Sequence, residues 1–302
     1  MFTTSCQQEI GTMDNPIFLN FVTVTIFSLM LAIGVNHSFR QLTFLLRRPQ
    51  LLLRSLLAVI VLVPLVVGLL LWMLDLSPAV AAGLAVLAAA PGAPLTTQRT
   101  EMAGGEPTYS ASLQLTLALL AVVITPLILA VFNALFELAD LDLTPVDVAR
   151  QVAQVTFLPV IIGLLIQRFV PRLAEVMGKP MRMLANVLFI MLFVVLIILL
   201  VLAPDLRTML NLDSLSTVTI IIMVGSSLAI GHLLGGPSQE QRSVLAIASI
   251  ARNVGLALFI ADLSDYGQNF IPTIFSYMIL GALVAVPYSV WSKRRMTWAE
   301  NG

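Results

Sequence analysis

Apolar residues run along this chain in blocks of about twenty, nearly end to end, separated by short polar stretches. Read with a window of about 19 residues, the blocks fall near 16–35, 50–74, 77–98, 108–136, 150–170, 182–204, 215–235, 240–263 and 269–291, the third and eighth being the weakest. Each is long enough to cross a hydrocarbon core of ~30 Å as a helix. The pattern predicts an all-α polytopic membrane protein of about nine transmembrane helices. An N-terminal tail (1–15) precedes one membrane domain (16–292), and a short C-terminal tail (293–302) follows it. No long polar linker interrupts the series, so any activity belongs to the helix bundle itself.

Composition agrees: 59% of the 302 residues are hydrophobic and 11% are charged, far from the soluble norm of about a quarter charged. Lys and Arg balance Asp and Glu at 16 each, leaving no basic field to hold nucleic acid by counterion release. Cys6 is the single cysteine and His37 and His232 the only histidines, too few and too scattered for a metal-ligand cluster or disulfide. Within the spans there is no His/Asp pair, zinc-ligand spacing or Ser–base arrangement, which argues against an intramembrane hydrolase. The chain is expected to have no cofactor. The first fifteen residues hold no Lys or Arg and do not read as a cleaved signal.

The position of charge is more informative than its sum. If the loops after spans one, three, five and seven and the C-terminal tail share one side, that side holds thirteen of the sixteen basic residues. Arg150 and Arg207 remain on the other side with the acidic group Glu137, Asp140, Asp142 and Asp147, while Arg252 lies inside a span. By the positive-inside rule the chain sits in the plasma (inner) membrane with its N-terminal tail extracytoplasmic and its C-terminal tail cytoplasmic.

Two spans are broken. In AVAAGLAVLAAAPGAPLTTQRT, Pro91 and Pro94 remove backbone donors and Gly92 relaxes the chain near mid-depth, so the helix must stop there. Freed backbone groups cannot face lipid, which places the break in protein or on a wet cavity, with Thr96, Thr97 and Gln98 beside it. In RSVLAIASIARNVGLALFIADLSD, Arg252, Asn253 and Gly255 lie near the centre. An arginine at that depth costs at least ~2.5 kcal/mol unless it meets water, a carboxylate or carbonyls. Each broken span is the third of a similar four-span series, one to four and six to nine, the pointer to a transporter built of inverted repeats. A simple packing kink remains open for Pro91–Pro94.

The stretch FSLMLAIGVNHSFRQLTFLLRRPQLLLRSLLAVIVLVPLVVG at 27–68, then Ala90-Pro91-Gly92-Ala93 with Thr96-Thr97 and Gly105-Glu106, then Arg252-Asn253-Val254-Gly255-Leu256, resembles the bile acid:sodium symporter family. Order and spacing agree over roughly residues 17–292. The resemblance implies a panel domain (about 16–35 and 150–204) and a core domain (about 50–136 and 215–291), with two discontinuous helices crossing in the core. The chain looks like the nine-span form lacking the first helix.

The family coordinates two sodium ions near the crossing with oxygen ligands. By the resemblance those ligand positions fall at Thr96, Thr97, Ser110, Gln114, Ala248, Arg252 and Ile60. An alanine stands where the family has its carboxylate, a guanidinium where it has a glutamine, and an isoleucine where it has another. Sodium coupling is therefore expected to be lost or strongly altered. Three roles suit Arg252 from sequence alone: a fixed charge in place of a bound cation, an anchor for an anionic substrate, and a buried group simply paired with carbonyls.

These readings converge on a secondary transporter of a small or amphipathic organic anion, with substrate at Asn253, Arg252, Thr96 and Thr97. The alternative is a non-transporting membrane receptor or scaffold that kept the fold. Arg99, Glu101 and Glu106 read as a solvated loop, with attraction of anions at the cavity mouth open as a second role for Arg99; His37 and His232 read as interfacial groups, and Asp262 and Asp265 as the outer end of span eight.

Overall fold

The computed structural model describes residues 16–138, 144–202, 213–264 and 266–301. Cys6 and the rest of the N-terminal tail, Asp140, Asp142, Arg207 and Asp265 lie outside the described residues. Among those described, all regular structure is helical. The helices are α1 (Pro16–Asn36), α2 (Phe39–Leu46), α3 (Pro49–Met73), α4 (Pro78–Ala89), α5 (Thr96–Met102), α6 (Pro107–Phe136), α7 (Pro145–Phe169), α8 (Pro171–Leu202), α9 (Ser214–Leu234), α10 (Gln239–Ile250), α11 (Val254–Asp262) and α12 (Gly267–Asn301).

The starts follow capping chemistry. Proline occupies the first turn of α3, α4, α6 and α7, where its missing N–H costs nothing and its φ suits a helix. Ser77, Thr144, Asp213 and Ser238 accept from backbone N–H groups three residues on, satisfying donors the first turn leaves free. Glu137, at φ 47°, ends α6 in the left-handed region.

Six helical stretches among the described residues are long and apolar enough to cross a membrane: α3, α6, α7, α9, the α10–α11 pair and most of α12. The α1–α2 pair, bent by 80°, makes a seventh, and α4 is a shorter apolar helix.

Three kinds of difference from the sequence expectation stand out. The stretch after span one is the helix α2, nucleated by a Ser38–Gln41 capping box and held to α6, where the Leu45 N–H donates to Ser112 Oγ at 3.2 Å. A hydropathy window passes over it because a short amphipathic helix has a low average. α8 begins at Pro171, and α12 continues through the Lys293–Arg295 run to Asn301, since charged residues end a hydropathy block without ending a helix. The third difference is a π-helical turn in each of α3 (Leu57–Leu62) and α7 (Ala153–Phe157), just ahead of Pro64 and Pro159.

Lipid tails are as apolar as leucine, so close packing rather than water exclusion joins these helices. α1 lies against α7 and α8, and it meets α7 glycine to glycine: a Cβ on Gly34 would come within 2.3 Å of the Val160 carbonyl oxygen. α9 packs on α10 through Gly231, and α4 on α12 through Gly83. The buried core, including Val67, Leu84, Leu87, Leu115, Met223 and Phe270, surrounds α4 and brings its end to the end of α10.

Candidate functional site

α4 stops at Ala89 because Pro91 has no N–H for the Leu87 carbonyl, which instead accepts from the Ala90 N–H at 3.2 Å. Gly92 then turns the chain at φ +79° with Leu117 beneath it, a backbone conformation other residues rarely adopt. α10 stops at Ile250, and Asn253 starts α11 by accepting the Leu256 N–H on Oδ1 at 3.0 Å.

The two interruptions bind each other reciprocally. The Asn253 N–H donates to the Ala90 carbonyl at 2.9 Å, and the Ala93 N–H donates to the Ala251 carbonyl at 3.2 Å. Two helix C-termini, each carrying partial negative charge, thus meet inside the bundle.

Arg252 sits at this junction, 3% exposed. Nη1 donates to the Ala88 carbonyl at 3.3 Å and Nη2 to the Val59 carbonyl at 3.2 Å. The Val59 carbonyl is available for a local reason. The π-turn sends the Val63 N–H to Ala58, and the next candidate donor, Pro64, has no N–H, so Val59 has no helical partner and takes one from Arg252. The Tyr277 hydroxyl, next to the guanidinium, donates to the Ile250 carbonyl at 2.8 Å.

The other half of the junction is closed by Gln114 on α6. Its Nε2 donates to the carbonyls of Ala93 (3.4 Å) and Pro94, and its Oε1 accepts from the Thr97 N–H (3.1 Å) and hydroxyl. The Thr96 hydroxyl donates to Ala93 at 2.7 Å, and Thr100 bonds Ser110. The carbonyls of Ala88, Ala90, Ala93, Pro94, Ile250 and Ala251 therefore all accept from donors of the chain itself.

The junction forms one wall of a cavity lined by α1, α8 and α12 on its other sides. Among the described residues its lining is apolar except for the side chains of Arg99, Arg252 and Tyr277 and the exposed backbone, and it includes no acidic group. Arg99 makes no hydrogen bond or ion pair among the described residues. A second, more polar space shares Leu29, Pro94 and Leu95 with the first and is lined by Asn36, His37, Glu101, Arg182 and Asn186 among others.

The structure thus brings Thr96, Thr97, Ser110, Gln114 and Arg252 to one junction. Pro91, Gly92, Pro94 and Gly255 lie at the breaks, and a Cβ on Gly255 would collide with Ile26 of α1. Ala248 is buried at 1% exposure, and Ile60 follows the carbonyl that Arg252 uses. Asn253 is wholly buried, its Nδ2 unpartnered and its side chain outside the cavity lining. No cluster of three or more potential metal-ligating His, Cys, Asp or Glu occurs among the described residues.

Sequence reasoning missed two participants. Tyr277 hides in an apolar span, where only a lone hydroxyl-bearing ring marks it. The Val59 carbonyl is signalled by Pro64 five residues on. Arg99 is solvent-exposed as expected, but it stands on the helix α5 rather than in a loop and lines the cavity. His232 pairs with Tyr288 at 2.8 Å and stacks near Trp291, away from the junction.

No curated protein matches the chain. A family model described as the Sodium Bile acid symporter family matches residues 23–207, including the first break, Ser110 and Gln114. A multi-pass helical chain with that match over more than half its length belongs to the sodium bile acid symporter family, a family of membrane transporters.

Proposed function

We propose that the chain is a secondary transporter of a small or amphipathic organic anion, working by alternating access, in which the usual sodium sites have been replaced by the chain's own donors. The observation that carries the reading is the cavity at the junction: an apolar chamber whose only charged side chains among the described residues are Arg99 and Arg252. Such a chamber suits a ligand with an apolar body and one acidic head, since a few placed polar groups fix orientation while apolar walls supply contact.

In this reading α1, α7 and α8 form the panel and α3–α6 with α9–α12 the core, nine crossings in all, related as inverted repeats. The reciprocal bonds between the two breaks support that symmetry. Arg99 and Arg252 serve different ends. Arg252 is held by two carbonyls and keeps the breaks together, while Arg99, whose guanidinium has no partner among the described residues, receives the acidic head by charge-assisted hydrogen bonds. Thr97, on the wall of the polar space, lines the route in, with the mouth on the cytoplasmic face and the N-terminus outside.

Replacement of the sodium sites is supported by donor chemistry. Hard cations need several oxygen ligands at short range. Here an amide NH₂ and a guanidinium point at the carbonyls, and Ala248 supplies no carboxylate.

The test uses octanesulfonate, an apolar chain with a permanent negative head, and octanol, its neutral counterpart. Octanesulfonate is expected to raise the thermal stability of the purified protein more than octanol does, and Arg99→Gln to weaken the sulfonate effect at least about tenfold while sparing the alcohol effect, as loss of a charged hydrogen bond implies. Equal effects of sulfonate and alcohol would count against an anion site. Counterflow of octanesulfonate in proteoliposomes separates a transporter from a receptor, which binds without flux.

A further inference from the structure

Resting on that reading, we infer that the chain carries its substrate without a companion cation, so that the charge moved per cycle is the substrate's own and a membrane negative inside drives an organic anion outward. The inference starts from what a broken-helix crossing requires. Unwound carbonyls and converging helix C-termini hold partial negative charge in a low-dielectric interior, and in transporters of this construction a bound cation neutralises them. That cation is taken up on one side and released on the other, which is what couples a substrate to an ion gradient.

In this chain the neutralising charge is covalent. Arg252 donates to Ala88 and Val59, and it keeps its proton at any physiological pH. The second group of carbonyls, Ala93 and Pro94, is met by the neutral amide of Gln114, whose oxygen is tied to Thr97. Both acceptor sets therefore have donors that stay with the protein on both sides of the membrane. Protons offer no carboxylate or imidazole route at the junction, because among the described residues no Asp, Glu or His lines the chamber. Glu101 and His37 belong to the polar space that shares Leu29, Pro94 and Leu95 with it, where Arg182 also lies.

The consequence for direction is arithmetic. With no positive partner, an anion bearing one charge moves with the field. A potential of 100 mV, negative inside, sustains an outside-to-inside ratio of about fiftyfold at equilibrium. A carrier that took two sodium ions with the same anion would be drawn inward by the same potential. Exchanging the bound ions for Arg252 and Gln114 thus reverses the driving force. The pair acts through the backbone, holding the crossing.

The experiment loads proteoliposomes containing the intact chain with octanesulfonate in sodium-free potassium buffer and imposes an inside-negative potential with valinomycin and a potassium gradient. The expected result is accelerated efflux under that potential. A concentration jump of octanesulfonate on a supported membrane should also produce a current of equal size in sodium, potassium and choline. Flux that ignores the potential, or that requires sodium, overturns the inference and leaves the transport reading intact. Absence of counterflow as well as of efflux overturns both. Arg252→Gln combined with Ala248→Glu, which removes the fixed charge and adds a carboxylate, should make the remaining flux depend on sodium. Sodium-independent flux in that variant would show that Arg252 does not set the coupling.

Discussion

Arg252→Leu is expected to cost the folded protein about 3 kcal/mol or more, because two buried carbonyls lose their donors at once and each such loss is typically worth about 1–3 kcal/mol. The Ala88 carbonyl lies at the end of α4 and the Val59 carbonyl in the π-turn of α3. Neither has a helical N–H within reach, and neither is open to solvent around a residue 3% exposed. The unopposed C-terminal ends of α4 and α10 add an electrostatic penalty. Arg252→Lys should recover part of the loss, since an ammonium keeps the charge but cannot span two acceptors set in different helices with a planar fork. Thermal unfolding in detergent of the three proteins, at one salt concentration, checks the order Arg, Lys, Leu. If leucine unfolds at the same temperature as arginine, the guanidinium is not what holds the junction.

The second large effect belongs to the α1–α7 contact. A Cβ on Gly163 would stand 2.6 Å from the Val35 nitrogen and 2.7 Å from Gly34, and one on Gly34 would stand 2.3 Å from the Val160 oxygen. These obstacles are backbone, so no side-chain rotation relieves them, and the helices must part. Gly163→Val is expected to destabilise by about 3 kcal/mol, the upper range of overpacking, with lost van der Waals contact along the whole interface. Gly225→Val serves as the control, since nothing lies within 4 Å of the Cβ position there. It should be nearly silent, and equal losses at both positions would contradict the packing account.

Much of the fold is written in the apolar blocks, because a membrane helix needs only length and hydropathy to declare itself. The breaks were equally legible: Pro91, Gly92 and Pro94 leave a helix no choice, and an Arg-Asn pair at the centre of an apolar span demands partners. What those partners are was not legible. The carbonyls that meet Arg252 come from residues 164 and 193 positions away, and backbone atoms carry no sequence signature. By resemblance Gln114 stands at an ion-ligand position; in the structure it lies at the junction, where an amide can turn either its oxygen or its nitrogen inward, and only packing against Thr97 decides which. α2 and the first third of α8 escaped because amphipathic helices with Arg and Gln average to a polar score. The helix that carries Arg99 is hidden for a related reason: a charge just past a break looks like a loop until the chain doubles back.

The central claim, that Arg252 stands where a bound cation would otherwise be needed, is tested most directly by thermal unfolding of the purified protein in sodium and in potassium at equal ionic strength. The comparison is then repeated on the variant combining Arg252→Gln with Ala248→Glu. An ion that binds only the folded state raises its apparent stability. The wild type should unfold at the same temperature in both salts, and the variant, less stable overall, should gain stability in sodium alone. Selective stabilisation of the wild type by sodium would contradict the account, for it would place a cation at a junction whose carbonyls the chain has already satisfied.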